Sequence, residues 1–387
     1  MKIVIAIDSF KGSLSSLETG AAVKRGILQA MPKAEVHVRP LADGGEGTVE
    51  ALTLGMGGKL RSVTVTGPLG RPVDCAYGIL PERRTAIIEM AGAAGITLVP
   101  AARRNPLYTT TYGVGELIRD AIEQGCRHFI LGIGGSATND GGVGMLQALG
   151  FELSDQNGNP VPYGARGLEA LKSISMQQVL PALKECDFRV ACDVTNVLCG
   201  AQGCSAVFGP QKGADPEMIR QMDAWLSDYA NLTAMTLASV DKEMKDNAGC
   251  PGTGAAGGLG FALLSYLHAR LEPGVHIVLE ETGLEQDIQD ADLIVTGEGR
   301  LDGQTVMGKA PIGVAALAKK YDIPVIAFCG CAAEDAVLCH AHGIDAFFPI
   351  LRNIQTLSEA MDPDNAARNL RDTAAQVFRL IRLTMPE

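Results

Sequence analysis

Several stretches of the chain combine glycine with acidic, basic or hydroxyl residues where a strand should end or a helix begin. Gly132-Ile133-Gly134-Gly135-Ser136-Ala137-Thr138-Asn139-Asp140-Gly141-Gly142 carries five glycines in eleven residues. A tight turn needs only one or two. Glycine lets backbone amides approach a phosphate closely, and a helix start adds unpaired amides and a positive dipole end. The stretch therefore reads as a phosphate loop, with Gly134, Gly135, Ser136, Thr138 and Asn139 as the contacts. Gly252-Thr253-Gly254-Ala255-Ala256-Gly257-Gly258-Leu259-Gly260 reads similarly through Gly257, although small residues there would serve tight helix packing equally well. Phe208-Gly209-Pro210-Gln211-Lys212-Gly213 offers one cation, Lys212, in a rigid turn. Asp193 ends an apolar run and is followed by Thr195 and Asn196, which suits a Mg²⁺ ligand, a hydroxyl base or a simple turn cap.

One near-match fails on its chemistry. Gly303-Gln304-Thr305-Val306-Met307-Gly308-Lys309-Ala310 has almost the Walker A spacing. Ala310 replaces the hydroxyl residue that binds Mg²⁺, and Pro311 removes an amide. Lys309 is expected to be solvated. No GxSxG, HExxH or strand-borne GxGxxG is present, and the six histidines are scattered. The ten cysteines contain no CxxC pair and read as reduced, mostly buried thiols. His340 and His342, two apart on an expected helix, cannot converge on one ion.

The elements that position these loops follow from periodicity. Strands are expected at residues 3–7, 35–41, 292–296, 323–329 and 346–351, with helices at 16–30, 311–320, near 333–341, and 366–381. Residues 297–302 are expected to be a loop. Two strands from the front and three from the back would complete one parallel sheet with helices on both faces. The middle differs: a hairpin over 61–80, further strands at 85–90, 128–133 and 188–194, and helices at 113–124 and 261–268. The fold class is α/β, with two domains. A flavodoxin-like doubly wound parallel sheet is built from both termini (1–60 and 285–387), and a mixed α/β domain with the phosphate loops is inserted (61–284).

The 387 residues favour two cores over one. With 47% apolar and 20% charged residues, the chain is globular in composition. A net charge of −11 argues against nucleic acid or an anionic membrane as partner, while leaving room for a small polyanion held by local amides and cations. No apolar run spans a bilayer, and the start MKIVIAIDSF reads as a first strand, so a cytoplasmic location is expected.

Taken together, six stretches resemble the bacterial glycerate kinases of the glycerate 2-kinase type. They are Asp8-Ser9-Phe10-Lys11-Gly12-Ser13, Ala42-Asp43-Gly44-Gly45-Glu46-Gly47-Thr48, residues 132–142, Ala191-Cys192-Asp193-Val194-Thr195-Asn196, residues 208–213, and Thr296-Gly297-Glu298-Gly299-Arg300-Leu301-Asp302. They stand in family order and cover nearly the whole chain. Ile7 stands where the family pattern has proline. The resemblance implies transfer of a phosphoryl group from ATP, with Mg²⁺, to D-glycerate in a cleft between two domains, at the 2-hydroxyl rather than the 3-hydroxyl. Glycerate and the moving phosphoryl are both anions, so Lys11 and Arg300 are assigned to them, with Ser9 and Asp43 beside the substrate. Asp193 is the candidate base or metal ligand, and Asp43 and Glu46 are further Mg²⁺ candidates. The alternatives are a glycerate 3-kinase, a kinase of another small hydroxy acid, and a non-catalytic sugar-acid sensor. A homo-oligomer is compatible with all of these readings.

Overall fold

Residues 3–7 are fully buried along their whole length, the signature of a strand covered on both faces. In the computed structural model, which describes residues 1–45, 47–238 and 247–384, this strand (Lys2–Ile7) is an interior strand of a five-stranded parallel sheet. The order is Ala346–Pro349, Val325–Ala332, Leu293–Leu301, Lys2–Ile7, Glu35–Pro40. Ile3, Val4 and Ile5 pair with Leu293, Ile294 and Val295. The chain leaves Lys2–Ile7 toward one edge and later returns to build the other. The carboxyl ends of Lys2–Ile7 and Leu293–Leu301 thus flank the switch point, where open α/β sheets bind ligands.

Helices hold the sheet from both faces. Helix Ser16–Ala30 starts in a capping box: Ser15 Oγ accepts from the Glu18 amide while the Glu18 carboxylate accepts from the Ser15 amide. Its apolar stripe, Ala22, Val23 and Ile27, joins Ile3, Ile5 and Ile7 and residues Leu370, Ala374 and Phe378 of helix Pro363–Thr384 in one core. Helix Ala310–Lys319 has proline in its first turn and packs against Lys2–Ile7 and Leu293–Leu301.

The second compact unit has a six-stranded sheet in the order Arg270–Glu272, Asp187–Ala191, His128–Gly132, Thr85–Glu89, Pro72–Leu80, Lys59–Thr66. The first four are mutually parallel, and the last two form an antiparallel hairpin on the edge. A small hairpin, Glu152–Ser154 with Ser173–Ser175, sits apart. The compact units are 1–43, 50–57 and 275–387 for the first, and 44–49 and 58–274 for the second. The return to the first unit therefore comes at 275, where the sequence suggested 285.

Two elements differ from the sequence expectation. Residues 297–301 are not a loop: the strand runs on to Leu301 because its neighbour also continues, pairing Arg300 with Cys331 and Leu301 with Ala332. Gly297 makes this possible. Its φ is +148°, and a Cβ there would stand 1.8 Å from the Phe328 carbonyl oxygen. Residues 334–342 form a 3-10 helix where an α-helix was expected.

Gly26 provides a stability test. A Cβ at this site would lie 2.2 Å from the Arg371 carbonyl oxygen, where the two long helices of the first unit meet. Alanine normally favours a helix over glycine by about 0.5–1 kcal/mol. Here the overlap should win, and Gly26→Ala should lower stability by about 1–3 kcal/mol in urea unfolding.

Candidate active site

The switch point of the first unit opens into a cavity of about 640 Å³. Its polar wall comes from the ends of the two central strands: Asp8, Ser9 and Lys11 from one, Glu298 and Arg300 from the other. The amide of Asp8 donates to the Gly297 carbonyl at 2.9 Å, fixing one end against the other. Lys11 Nζ is 3.0 Å from Asp43 Oδ2, and Arg300 Nε is 3.3 Å from Asp302 Oδ2. Both cations are exposed, whereas Asp8 and Glu298 are buried. A ligand entering the cavity therefore meets positive charge first.

The buried acids behave unlike surface carboxylates. Burial, reinforced by the negative charge of Asp43, pushes Asp8 up to about 7, against the opposing Ser9 amide and Lys11. Burial likewise raises Glu298, although its oxygens accept from Thr305 Oγ1 at 2.7 Å and Lys309 Nζ at 3.3 Å. Burial works against the Lys11 charge, but Asp43, Asp8 and Glu298 outweigh it and hold its pKa above the ordinary lysine value.

In the second unit, the loop after His128–Gly132 has two distinct parts. Gly134 and Gly135 are exposed, and a Cβ at Gly134 would meet nothing within 4 Å. Ser136, Thr138, Asn139 and Asp140 are buried. Their side chains hold the loop from within. Lys212 Nζ donates to Ser136 Oγ at 2.8 Å and to the Thr138 carbonyl at 2.6 Å, and Asn139 Nδ2 donates to Ser205 Oγ at 2.8 Å. Asp140 accepts from the Thr111 amide and hydroxyl and from the amides of Gly142 and Gly144. Thr138 Oγ1 and Asn139 Oδ1 are buried with no hydrogen-bond partner among the described residues.

Gly257 belongs to the same assembly. Ala256, Gly257 and Gly258 all have left-handed backbone. A Cβ at Gly257 would fall 2.1 Å from the Thr138 carbonyl oxygen, and the Gly257 carbonyl accepts from the Gly141 amide. The glycines of this second stretch thus seat one loop on the other.

The sequence model of the glycerate kinase family matches residues 3–382. The chain belongs to the glycerate kinase family. It is 50% identical to the Escherichia coli protein named glycerate 2-kinase over 97% of each chain. It is 48% identical to the Haemophilus influenzae protein named glycerate kinase, over 98% of this chain and 99% of that one. A crystal structure of a protein assigned as glycerate kinase 2, from Salmonella typhimurium LT2, superposes with a TM-score of 0.89 at 48% identity, covering 99% of this chain and 98% of that one.

For this glycerate kinase family member, the site residues expected from sequence fall into two sets. Ser9, Lys11 and Arg300 line the cavity of the first unit, with Asp43 gripping Lys11. Gly134, Gly135, Ser136, Thr138, Asn139, Lys212 and Gly257 form the loop assembly of the second. Asp193, also in the second unit, is exposed, and its Oδ1 accepts from the Gly274 amide at 3.0 Å. Glu46 lies outside the described residues. Among the described residues, no cluster of three or more His, Cys, Asp or Glu side chains could hold a metal.

Sequence reasoning missed Asp8 and Glu298 as site groups, because their burial and charged neighbours are tertiary facts. Lys212, the cation expected in a rigid turn, ends a 3-10 turn and is only 2% exposed. One lysine was misjudged. Lys309 is paired with Glu298 on the cavity wall rather than solvated.

Lys212 gives a pH test. Burial lowers its pKa from 10.5 to about 8, despite Cys204 and Asp140. Between those values the native state binds fewer protons than the unfolded state, so this residue's contribution to stability rises with pH there and is smallest below pH 8. Wild type should therefore gain stability relative to Lys212→Met as pH rises from 8 to 10.5, measured as the difference in urea midpoints.

Proposed function

We propose that this protein transfers the terminal phosphoryl group of ATP to the 2-hydroxyl of D-glycerate, giving 2-phospho-D-glycerate and ADP. The observation that carries this reading is 50% identity to the Escherichia coli protein named glycerate 2-kinase, over 97% of each chain. The cavity of the first unit supports it. A three-carbon acid presents a carboxylate and two hydroxyls, and the wall offers two exposed cations, Lys11 and Arg300, together with Ser9 and the buried acids.

The division of labour follows from charge. Phosphoryl transfer is catalysed mainly by positioning and by neutralising oxyanions. The planar fork of Arg300 suits a carboxylate or a phosphoryl group, and Lys11 supplies a point charge steadied by Asp43. In the second unit, the exposed Gly134–Gly135 tip offers backbone to the nucleotide phosphates. Lys212 stiffens this tip from behind through Ser136 and Thr138. Mg²⁺ takes one or two carboxylates and keeps its waters, so an ion that binds with the nucleotide needs few protein ligands, and the exposed Asp193 would hold it. When bound, it neutralises charge on the phosphate oxygens.

The test mixes protein, D-glycerate, ATP and Mg²⁺ with enolase. Phosphoenolpyruvate formation without added phosphoglycerate mutase identifies the 2-phosphate. Signal only after mutase is added means the 3-phosphate, and no ADP release from glycerate sinks the reading. Arg300→Ala should cut kcat/KM by orders of magnitude, with the unfolding midpoint unchanged because the side chain is 66% exposed. A near-normal rate removes Arg300 from the mechanism.

A further inference from the structure

We propose that Asp8 is the general base of the transfer, accepting the glycerate 2-hydroxyl proton as that oxygen attacks the terminal phosphorus of ATP. This rests on the glycerate kinase reading above and assigns a residue to its proton.

The first argument is placement. Asp8 follows the last residue of Lys2–Ile7, one of the two strands at the switch point, and it lines the same cavity as Lys11 and Arg300. A base must be held firmly and yet keep an oxygen for the substrate. Asp8 is 6% exposed, and its Oδ1 accepts the Ser9 amide at 2.6 Å. Its Oδ2 takes no hydrogen bond among the described residues, leaving a lone pair for an incoming hydroxyl.

The second argument is elimination among the carboxylates. Glu298 shares the cavity, but its two oxygens are engaged by Thr305 and Lys309. Asp302 faces Arg300, and Asp43 faces Lys11. Asp193 is an exposed carboxylate on the second unit, with Oδ1 on the Gly274 amide. Asp8 alone of these is both buried on the cavity wall and left with an unengaged oxygen.

The third argument is charge. The groups acting on Asp8 are Asp43 and Glu298, which disfavour its ionisation, and Lys11, which favours it. Arg300, Asp302 and Lys309 line the same cavity. With burial as the leading cause, the carboxyl rests at about 7, where it accepts and returns a proton at neutral pH. In the step, the O–H bond of glycerate breaks toward Asp8 and a new oxygen–phosphorus bond forms. The bond from phosphorus to the ADP oxygen breaks, and ADP leaves with that electron pair. Asp8 then returns the proton to water.

The experiment compares wild type with Asp8→Asn in ADP-release assays across pH 5.5 to 8.5, with a thermal melt of each. Wild-type kcat/KM should rise with pH and level off above about 7 as the base ionises. Asp8→Asn should lose about a hundredfold or more in kcat, with the KM for glycerate and ATP little changed, and its residual rate should lack the acid limb. A side chain that only shaped the cavity would move KM and leave the limb in place, and that result overturns the proposal. So does an Asp8→Asn enzyme with wild-type kcat. If Asp8→Asn does not fold, the wild-type profile decides alone, since a flat profile through pH 7 is incompatible with this base. Absence of any wild-type turnover of glycerate strikes the glycerate kinase reading itself, and this assignment falls with it. Normal wild-type turnover beside an active Asp8→Asn variant strikes only the assignment.

Discussion

The parallel pairing of Lys2–Ile7 with Leu293–Leu301 is the contact on which the candidate site depends. It joins the two ends of the chain in the middle of one sheet. Its last hydrogen bond, from the Asp8 amide to the Gly297 carbonyl, sets the start of one loop against the continuing strand of the other. Every polar group discussed on the cavity wall hangs from one of these two segments or from the turn after them. If the register slipped by one residue, Asp8 and Glu298 would exchange faces with their neighbours, since side chains alternate along a strand.

The second unit is built on a different constraint. Its loop at 132–142 is polar within, and a buried ammonium ties that interior together through Ser136 and the Thr138 carbonyl. A buried lysine is unfavourable unless its hydrogen bonds are made, and this one makes two short ones. The left-handed run at Ala256, Gly257 and Gly258 presses against the same segment, with no room for a side chain at Gly257. Two glycine-rich stretches that each resemble a phosphate loop in sequence thus have unequal parts. One presents an exposed tip, and the other braces it.

Much of this was readable from residue order. Apolar runs marked residues 3–7 and 128–133 as strands, and helical spacing marked the first helix at 16–30. The five-strand count of the first sheet followed, since front and back segments share one grammar. Lys11 and Arg300 were legible because a cation beside glycine at a strand end has few structural duties. Arg300 was misplaced into a loop because Gly297 and Gly299 look like turn residues, whereas Gly297 lets the neighbouring strand approach closely. Asp8 was overlooked for a related reason. Nothing in Ile7-Asp8-Ser9 reveals that residues 43 and 298 will stand nearby, and its character comes from them and from burial. Lys212 was singled out as the cation of its turn, but its burial was not legible, because most lysines in turns are solvated.

The split first unit has a consequence for how the molecule is made. The strand Lys2–Ile7 is synthesised with an apolar surface on both faces, long before its partner, which begins only at Leu293. At typical synthesis rates that delay is about 15–60 s. The second unit, nearly all of it in the continuous stretch 58–274, can complete its core within that interval. The nascent chain therefore carries an unfinished sheet through most of its synthesis, while the second unit is completed. Its dependence on holding chaperones should be concentrated in the first forty residues.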